Sequence, residues 1–138
     1  MLLVVKKLDS LEAWNCGRQL SRAAYKLTMQ TPLSRHFGLS DQIRRASASV
    51  PANIAEGYAM GTTPQFIKYL RIALGSATEL STHIELAKDM ELAAADKVET
   101  ALQLCNREIG LLIGLVFSLG RRQPSFRSPV PPPSSPVP

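Results

Sequence analysis

The feature that most constrains the fold is an apolar repeat, at alternating spacings of four and three residues, that runs through long segments of the chain. The repeat is unbroken in the segment that starts at Thr62 or Thr63, where it comprises Phe66, Leu70, Ala73, Ala77, Leu80, Ile84 and Ala87. This spacing puts the side chains on one stripe of an α-helix. Pro64 falls in the first turn, where a missing N–H is tolerated. The segment predicts a long amphipathic helix.

Three other segments repeat the pattern, at about residues 10–29, 40–59 and 95–119. The first carries Ala13, Gly17, Leu20, Ala24 and Leu27, and the last carries Val98, Leu102, Cys105, Ile109, Leu112, Val116 and Leu119. Short connections between long helices favour antiparallel neighbours. We therefore predict an all-α domain over residues 1–122, an antiparallel up-down-up-down four-helix bundle. Aromatic residues make up only 6% of the chain, which also favours helices over strands.

The second segment contains the sequence "SVPANIAEGY", with a proline inside the helical pattern. Pro51 removes one backbone hydrogen bond, so a kink in this helix is predicted. Asn53 and Glu56 are then expected to bond to neighbouring helices. With Arg45 and Glu79, which are candidates for an ion pair, they form a predicted structural polar network. Gly57 marks a place where another helix comes close.

The last sixteen residues, "QPSFRSPVPPPSSPVP", hold seven of the ten prolines. Proline-rich sequence forms neither an internal helix nor a central strand. Residues 123–138 are therefore predicted to be a disordered or polyproline tail.

No cofactor, metal site or catalytic site is predicted from the sequence. The di-iron sites of helical bundles need two E-x-x-H pairs, whereas the chain has only two histidines and His83 follows Glu79 by four positions. Glu79 and His83 share a helix face but no nucleophile motif accompanies them. Cys16 and Cys105 fall on apolar helical positions and are expected to be reduced core residues.

Sixteen basic and eleven acidic residues give the chain a net charge of +5. Arg18, Arg22 and Lys26 follow one another at spacings of four and predict a basic ridge on the first helix. Such a ridge binds phosphate backbones without reading sequence, although it also occurs as a plain solvated helix face. The candidate nucleic-acid-binding residues are Arg18, Arg22, Lys26, Arg44, Lys68 and Arg71.

The third and fourth segments carry more apolar residues than a bundle core needs. Either these side chains form an exposed patch, or they are buried against another subunit. The second interpretation predicts a homo-oligomer whose interface includes Tyr69, Ile72, Leu86, Leu111, Leu115 and Phe117. The longest apolar run, at 109–120, is shorter than the roughly 20 residues that span a bilayer. We therefore expect a cytoplasmic protein without a membrane partner.

Residues 37–89, with "QIRRA", "PANIAEG" and "FIKYLRIALGS", resemble the four-helix-bundle family of 23S rRNA intervening-sequence proteins. The accessory variability proteins of diversity-generating retroelements are similar. The resemblance covers about residues 8–120 and implies a bacterial, cytoplasmic ring of five bundles. The retroelement proteins imply nucleic acid and a reverse transcriptase as partners.

Two functions remain open from the sequence. One is a non-enzymatic homo-oligomer that binds RNA or DNA through its basic surface. The alternative is a structural or adaptor assembly that binds a protein partner without nucleic acid.

Overall fold

The computed structural model describes residues 8–121, and within this range the chain is all-α. The helices are α1 (Glu12–Leu27), α2 (Phe37–Ala59), α3 (Thr63–Asp89) and α4 (Ala95–Gly120), with a short 3-10 helix at Leu33–Arg35 between α1 and α2. No strand is found in the described range. The predicted four-helix, all-α fold is confirmed, whereas the predicted tail at 123–138 lies outside the described residues.

The start of α3 follows from the residues expected there, and a glycine follows the end of α2. The hydroxyl of Thr62 accepts a hydrogen bond from the backbone N–H of Gln65 at 3.4 Å, and Pro64 lies in the first turn. Gly61 has φ +81°, a conformation that glycine adopts without steric cost and that commonly follows a helix. The α2 helix begins at Phe37, three residues before the predicted position, and the side chain of His36 in front of it forms no capping hydrogen bond.

The apolar core consists of two clusters, one towards each end of the bundle. One cluster combines the C-terminal halves of α1 and α3 with the N-terminal halves of α2 and α4, including Leu20, Leu27, Ile43, Ala46, Leu80, Ile84, Val98 and Cys105. The other combines the opposite halves, including Leu8, Ala13, Val50, Ile54, Leu70, Ala73, Leu112 and Val116. Helices that alternate in direction bring the C-terminal half of one beside the N-terminal half of the next, as in both clusters. Cys16 and Cys105 are both buried and free, as expected.

A layer of small and polar residues lies between the two clusters. It consists of Gly17 on α1, Ser47 on α2 and Glu108 on α4, and we refer to it as the polar layer. Ser47 and Glu108 are both fully buried. The Ser47 hydroxyl donates to the carbonyl oxygen of Arg44 at 2.9 Å. The apolar core is therefore interrupted halfway along the bundle.

Each helix packs mainly on two others. The α1 helix contacts α2 and α4, and α3 contacts the same two helices. Consequently α1 and α3 lie diagonally across the bundle, and their outer faces point in different directions.

Pro51 lies inside α2. Beside it, the side-chain amide of Asn53 donates to the backbone oxygen of Ser49 at 2.8 Å. The helix extends on both sides of the proline, from Phe37 to Ala59, and the kink itself stays a prediction.

One helix in the described range, α4, is long and apolar enough by length and composition to cross a membrane. One side of α4 contributes to both core clusters, and 28% of its most apolar window is buried. The uninterrupted run considered in the sequence was shorter because α4 begins with polar residues.

Candidate nucleic-acid surface

The predicted basic ridge is present on α1. Arg18, Arg22 and Lys26 are all exposed and follow one another along the outer face of this helix. The guanidinium carbon of Arg18 lies 4.6 Å from the ring centroid of Trp14, a cation–π arrangement that helps to orient it. We call Arg18, Arg22 and Lys26 the α1 ridge.

A cleft lies on each side of the α1 ridge. The first, between α1 and α4, has a volume of about 290 Å³ and includes Arg22, Lys26 and Lys97 in its lining. The second, of about 500 Å³, runs between α1 and α2 and is lined in part by Arg18, Tyr25 and Pro51. The ridge thus stands between two concave surfaces that carry its positive charge.

Arg44, one of the candidate nucleic-acid-binding residues, does not face solvent freely. Its side chain is half-buried, and its Nε–H donates to the hydroxyl oxygen of Thr28 at 2.7 Å. Its guanidinium also lies 4.8 Å from the ring centroid of Tyr25. Because the end of α1 offers both a hydroxyl and an aromatic face, Arg44 joins α1 to α2 and is not part of an open basic surface.

Lys68 and Arg71 are exposed on α3. The Lys68 ammonium lies 5.8 Å from the ring centroid of Tyr69. Because α3 is diagonal to α1, these two residues are on a different side of the bundle from the α1 ridge. The six candidate residues therefore do not form one surface within a single chain.

The predicted pair of Arg45 and Glu79 is present between α2 and α3. Arg45 donates through Nη2 to Oε2 of Glu79, and the same nitrogen donates to Oε1 of Gln42 at 2.6 Å. His83 Nε2 lies 3.2 Å from that Glu79 oxygen. The Arg45 side chain is 59% exposed and that of Glu79 39%, so the pair is a surface ion pair.

Asn53 and Glu56 differ from each other in their surroundings. Asn53 donates to the hydroxyl of Ser49 at 2.8 Å, and this hydroxyl is 2.8 Å from that of Ser76 on α3. Asn53 thus reaches the neighbouring helix through Ser49. Glu56 is exposed, and within residues 8–121 it forms no ion pair or hydrogen bond, so its predicted bond to another helix is wrong for the single chain.

Glu56 is exposed because its neighbour Gly57 makes the contact between α2 and α3. A Cβ at Gly57 would lie 2.5 Å from the Cβ of Tyr69 and 3.3 Å from Cδ1 of Phe66. The rings of Tyr58 and Phe66 are also in edge-to-face contact, with centroids 5.7 Å apart. The contact of α2 with α3 thus runs through Gly57, as predicted for this residue, and Glu56 lies beside it in solvent.

The residues of the predicted oligomer interface are distributed over more than one face. Ile72 and Leu86 are 43% and 44% exposed, and each precedes a buried alanine on α3, so they share one stripe. Tyr69, which packs against Gly57, is half-buried, as are Leu111 and Leu115 beside the second core cluster. Phe117 on α4 is 39% exposed.

Glu108 was not predicted as a site residue, yet it is the most unusual polar group in the described chain. It is fully buried, and within residues 8–121 no N–H or O–H group donates a hydrogen bond to either carboxyl oxygen. Burial raises the pKa of Glu108 to about 8, against smaller lowering effects of the Cys16 thiol and Arg107. Burial, followed by Glu108, raises the pKa of Cys16 to about 11.

A sequence signal for Glu108 exists in retrospect. It lies three positions after Cys105 and four before Leu112, so it fits the core spacing as well as Ile109 does. Because the apolar Ile109 satisfies the same repeat, the spacing alone does not single out Glu108 as a buried residue.

Among residues 8–121, no group of three or more His, Cys, Asp or Glu side chains is arranged to hold a metal ion. The two clefts beside α1 are lined by neither Glu79 nor His83. The Glu79–His83 contact is therefore described best as part of the α2–α3 ion-pair cluster.

A solved structure is similar to this chain over most of its length. It is a protein of unknown function from the S23 ribosomal protein family of Bacteroides thetaiotaomicron VPI-5482. The TM-score is 0.68 and the sequence identity 26%, and the match covers 76% of this chain and 95% of that one. No curated protein matches the sequence.

Family comparison matches residues 9–114 to the 23S rRNA-intervening sequence proteins. The matched range includes α1, α2, α3 and most of α4, with the α1 ridge, the polar layer and Gly57. The chain belongs to the family of 23S rRNA-intervening sequence proteins.

Proposed function

We propose that the chain is a non-enzymatic, cytoplasmic, homo-oligomeric protein that binds RNA or DNA through the α1 ridge. The observation that carries the proposal is the exposure of Arg18, Arg22 and Lys26 in one row between two clefts. Cations in a row with this spacing neutralise successive phosphates of a nucleic-acid backbone. The energy of such binding comes largely from released counterions, so it depends on salt and little on sequence.

Assembly would increase the effect of the ridge, because repeated ridges add their electrostatic fields. The exposed stripe of Ile72 and Leu86 on α3 and the exposed Phe117 on α4 support burial against further copies. Five copies are proposed, as the family resemblance implies.

The test is a gel-shift titration with structured RNA and with single-stranded DNA at low and moderate salt. The double variant Arg18→Gln/Arg22→Gln should weaken binding at least several-fold and reduce its salt dependence. The control Lys68→Gln/Lys88→Gln removes the same charge from α3 and should leave affinity nearly unchanged. No shift at micromolar protein, or equal losses in both variants, would refute binding through the ridge.

The second candidate is an adaptor that binds a protein partner, for example a reverse transcriptase. Large apolar side chains exposed near one end of the bundle favour it, since Phe37 is 75% exposed and Met29 63%. A purified partner should then bind after nuclease treatment, and Phe37→Asp should abolish this binding. A partner lost on nuclease treatment would instead be held by nucleic acid.

A further inference from the structure

The cleft between α1 and α4 has features that a nucleic-acid-binding ridge alone does not need. It is a cavity of about 290 Å³, and its lining includes the apolar groups of Ala23 and Leu27. Leu27 belongs to the first core cluster, so this part of the lining is fixed by the packing of the bundle. The volume lies at the lower end of the range for small-molecule sites.

Three cations from two helices line this cleft. Arg22 and Lys26 come from α1, and Lys97 comes from the first turn of α4. No carboxylate is among its lining residues. Asp96 is next to Lys97 in sequence, but it is not part of the lining. The cleft therefore concentrates positive charge on an apolar surface, which suits a ligand with an anionic end and a flat apolar end.

Uncharged hydrogen-bonding groups complete the lining. Gln19, Gln30 and Thr100 contribute amides and a hydroxyl. The Thr100 hydroxyl donates to the backbone oxygen of Asp96 at 3.0 Å, so its oxygen still accepts from a ligand donor. Such groups suit the edge of a nucleobase or the hydroxyls of a sugar.

We propose that this cleft binds a nucleoside phosphate, with the phosphate at Arg22, Lys26 and Lys97 and the base against Ala23 and Leu27. The inference rests on the proposed function in one respect, since Arg22 and Lys26 also belong to the α1 ridge. Lys97 lines the cleft and is not in the ridge, whereas Arg18 is in the ridge and does not line this cleft. These two residues separate the two hypotheses.

The test is calorimetric titration of the full chain with AMP, adenosine and inorganic phosphate. AMP should bind at least several-fold more tightly than either fragment, because only AMP occupies both parts of the cleft. Lys97→Gln should weaken AMP binding by about tenfold, the effect of losing one charge-assisted contact. Arg18→Gln should leave AMP binding unchanged. Both residues are exposed, so neither variant removes core packing.

Absence of AMP binding at millimolar concentration, or equal affinity of the wild type and Lys97→Gln, would overturn the proposal. The gel shift of structured RNA on the same variants keeps the proposed function separate. If the wild-type protein binds RNA but not AMP, only the nucleotide cleft is refuted. If it binds neither ligand, the ridge is refuted as well.

A short single-stranded RNA with either a 5′-phosphate or a 5′-hydroxyl end identifies the source of the ligand. Tighter binding of the phosphorylated end, lost in Lys97→Gln, supports a strand terminus in the cleft. AMP binding without that preference supports a free nucleotide.

Discussion

The carboxyl group of Glu108 occupies the space that a side chain at residue 17 would need. A Cβ placed on Gly17 would overlap Oε2 of Glu108 and would lie 3.4 Å from Cγ1 of Val50. A glycine in the middle of α1 and a glutamate in the middle of α4 therefore depend on each other. The absence of a side chain on one helix provides the volume that the other helix uses for a buried carboxyl group.

Gly17→Ala should destabilise the bundle although alanine is the better helix former. The added methyl group displaces the end of the Glu108 side chain inside a closed core, at a cost of about 1–3 kcal/mol. After a helix-propensity gain of about 1 kcal/mol, the net destabilisation should be at most about 2 kcal/mol. Urea unfolding followed by circular dichroism measures the change. Gly38→Ala is the control, because a Cβ there meets nothing within 4 Å. A Gly17→Ala variant as stable as that control would show that Glu108 moves without cost.

The stability of the protein should decrease as pH rises from about 5 to about 8. The ordinary carboxyl pKa is 4.5, and burial raises that of Glu108 to about 8 in the folded state. Between these values the folded chain holds a proton that the unfolded chain has released, so unfolding becomes easier with rising pH. The total effect is on the order of a few kcal/mol.

Glu108→Gln should remove most of this pH dependence, because a neutral amide does not titrate. Unfolding free energies at pH 5.5, 7 and 8 give the slope for the wild type and the variant. The range stops at pH 8 because burial also raises the pKa of the Cys16 and Cys105 thiols above the ordinary value of 9.0. Above pH 8 these thiols therefore make stability fall with pH as well. Parallel slopes in the two proteins would contradict the role of Glu108.

Gly57→Ala should destabilise the α2–α3 contact more strongly than Gly17→Ala disturbs the core. The atom in the way is the Cβ of Tyr69, at 2.5 Å, which is attached to the backbone and cannot turn aside. The helices must then separate, at a cost of at least about 2 kcal/mol. Thermal unfolding with Gly38→Ala as the reference measures it. A shift no larger than that of the reference would mean that α2 and α3 approach less closely.

The ion pair between Arg45 and Glu79 should contribute little to stability. Both side chains are well exposed, and pairs of this kind are worth roughly 0–1 kcal/mol. A double-mutant cycle with Arg45→Gln and Glu79→Gln gives the coupling energy directly. The coupling should fall further in 0.5 M salt, since exposed charges are screened. A coupling well above 1 kcal/mol would indicate that a further subunit buries the pair.

Ile72→Asp combined with Leu86→Asp should shift the protein towards smaller species. Charges on the exposed α3 stripe would be costly to bury against another copy. Light scattering of the wild type and the variant reports the change in mass. Lys88→Glu, on the opposite side of the core stripe of α3, should leave the mass unchanged. A wild-type protein that is already monomeric would contradict assembly through this stripe.

The apolar stripes predicted the helices well because burial on one side is a strong, local signal. Thr62 and Pro64 predicted the start of α3 for a similar reason, since each acts on the backbone of the first helical turn. The stripes could not predict partners across helices, because these depend on how two helices approach. Arg44 therefore pairs with Thr28 and Tyr25 instead of facing solvent, and Glu56 is exposed where Gly57 makes the contact.

The candidate site was predicted only in part. The α1 ridge lies on one helix, so its spacing alone defined it. Lys97 was missed because it lines the cleft beside the ridge from another helix. Lys68 and Arg71 were grouped with the ridge although they lie across the bundle. Glu108 was missed because an apolar residue next to it satisfied the same repeat.

The polar layer has a consequence for how the molecule opens. Since Gly17, Ser47 and Glu108 separate the two apolar clusters, few apolar contacts join the two ends of the bundle. We therefore expect each end to open as a cooperative unit of its own, with its own opening free energy. Amide hydrogen exchange should accordingly resolve two groups of protected amides, divided at the level of Glu108. Each end could thus loosen, for instance to admit a ligand, while the other keeps the four helices together.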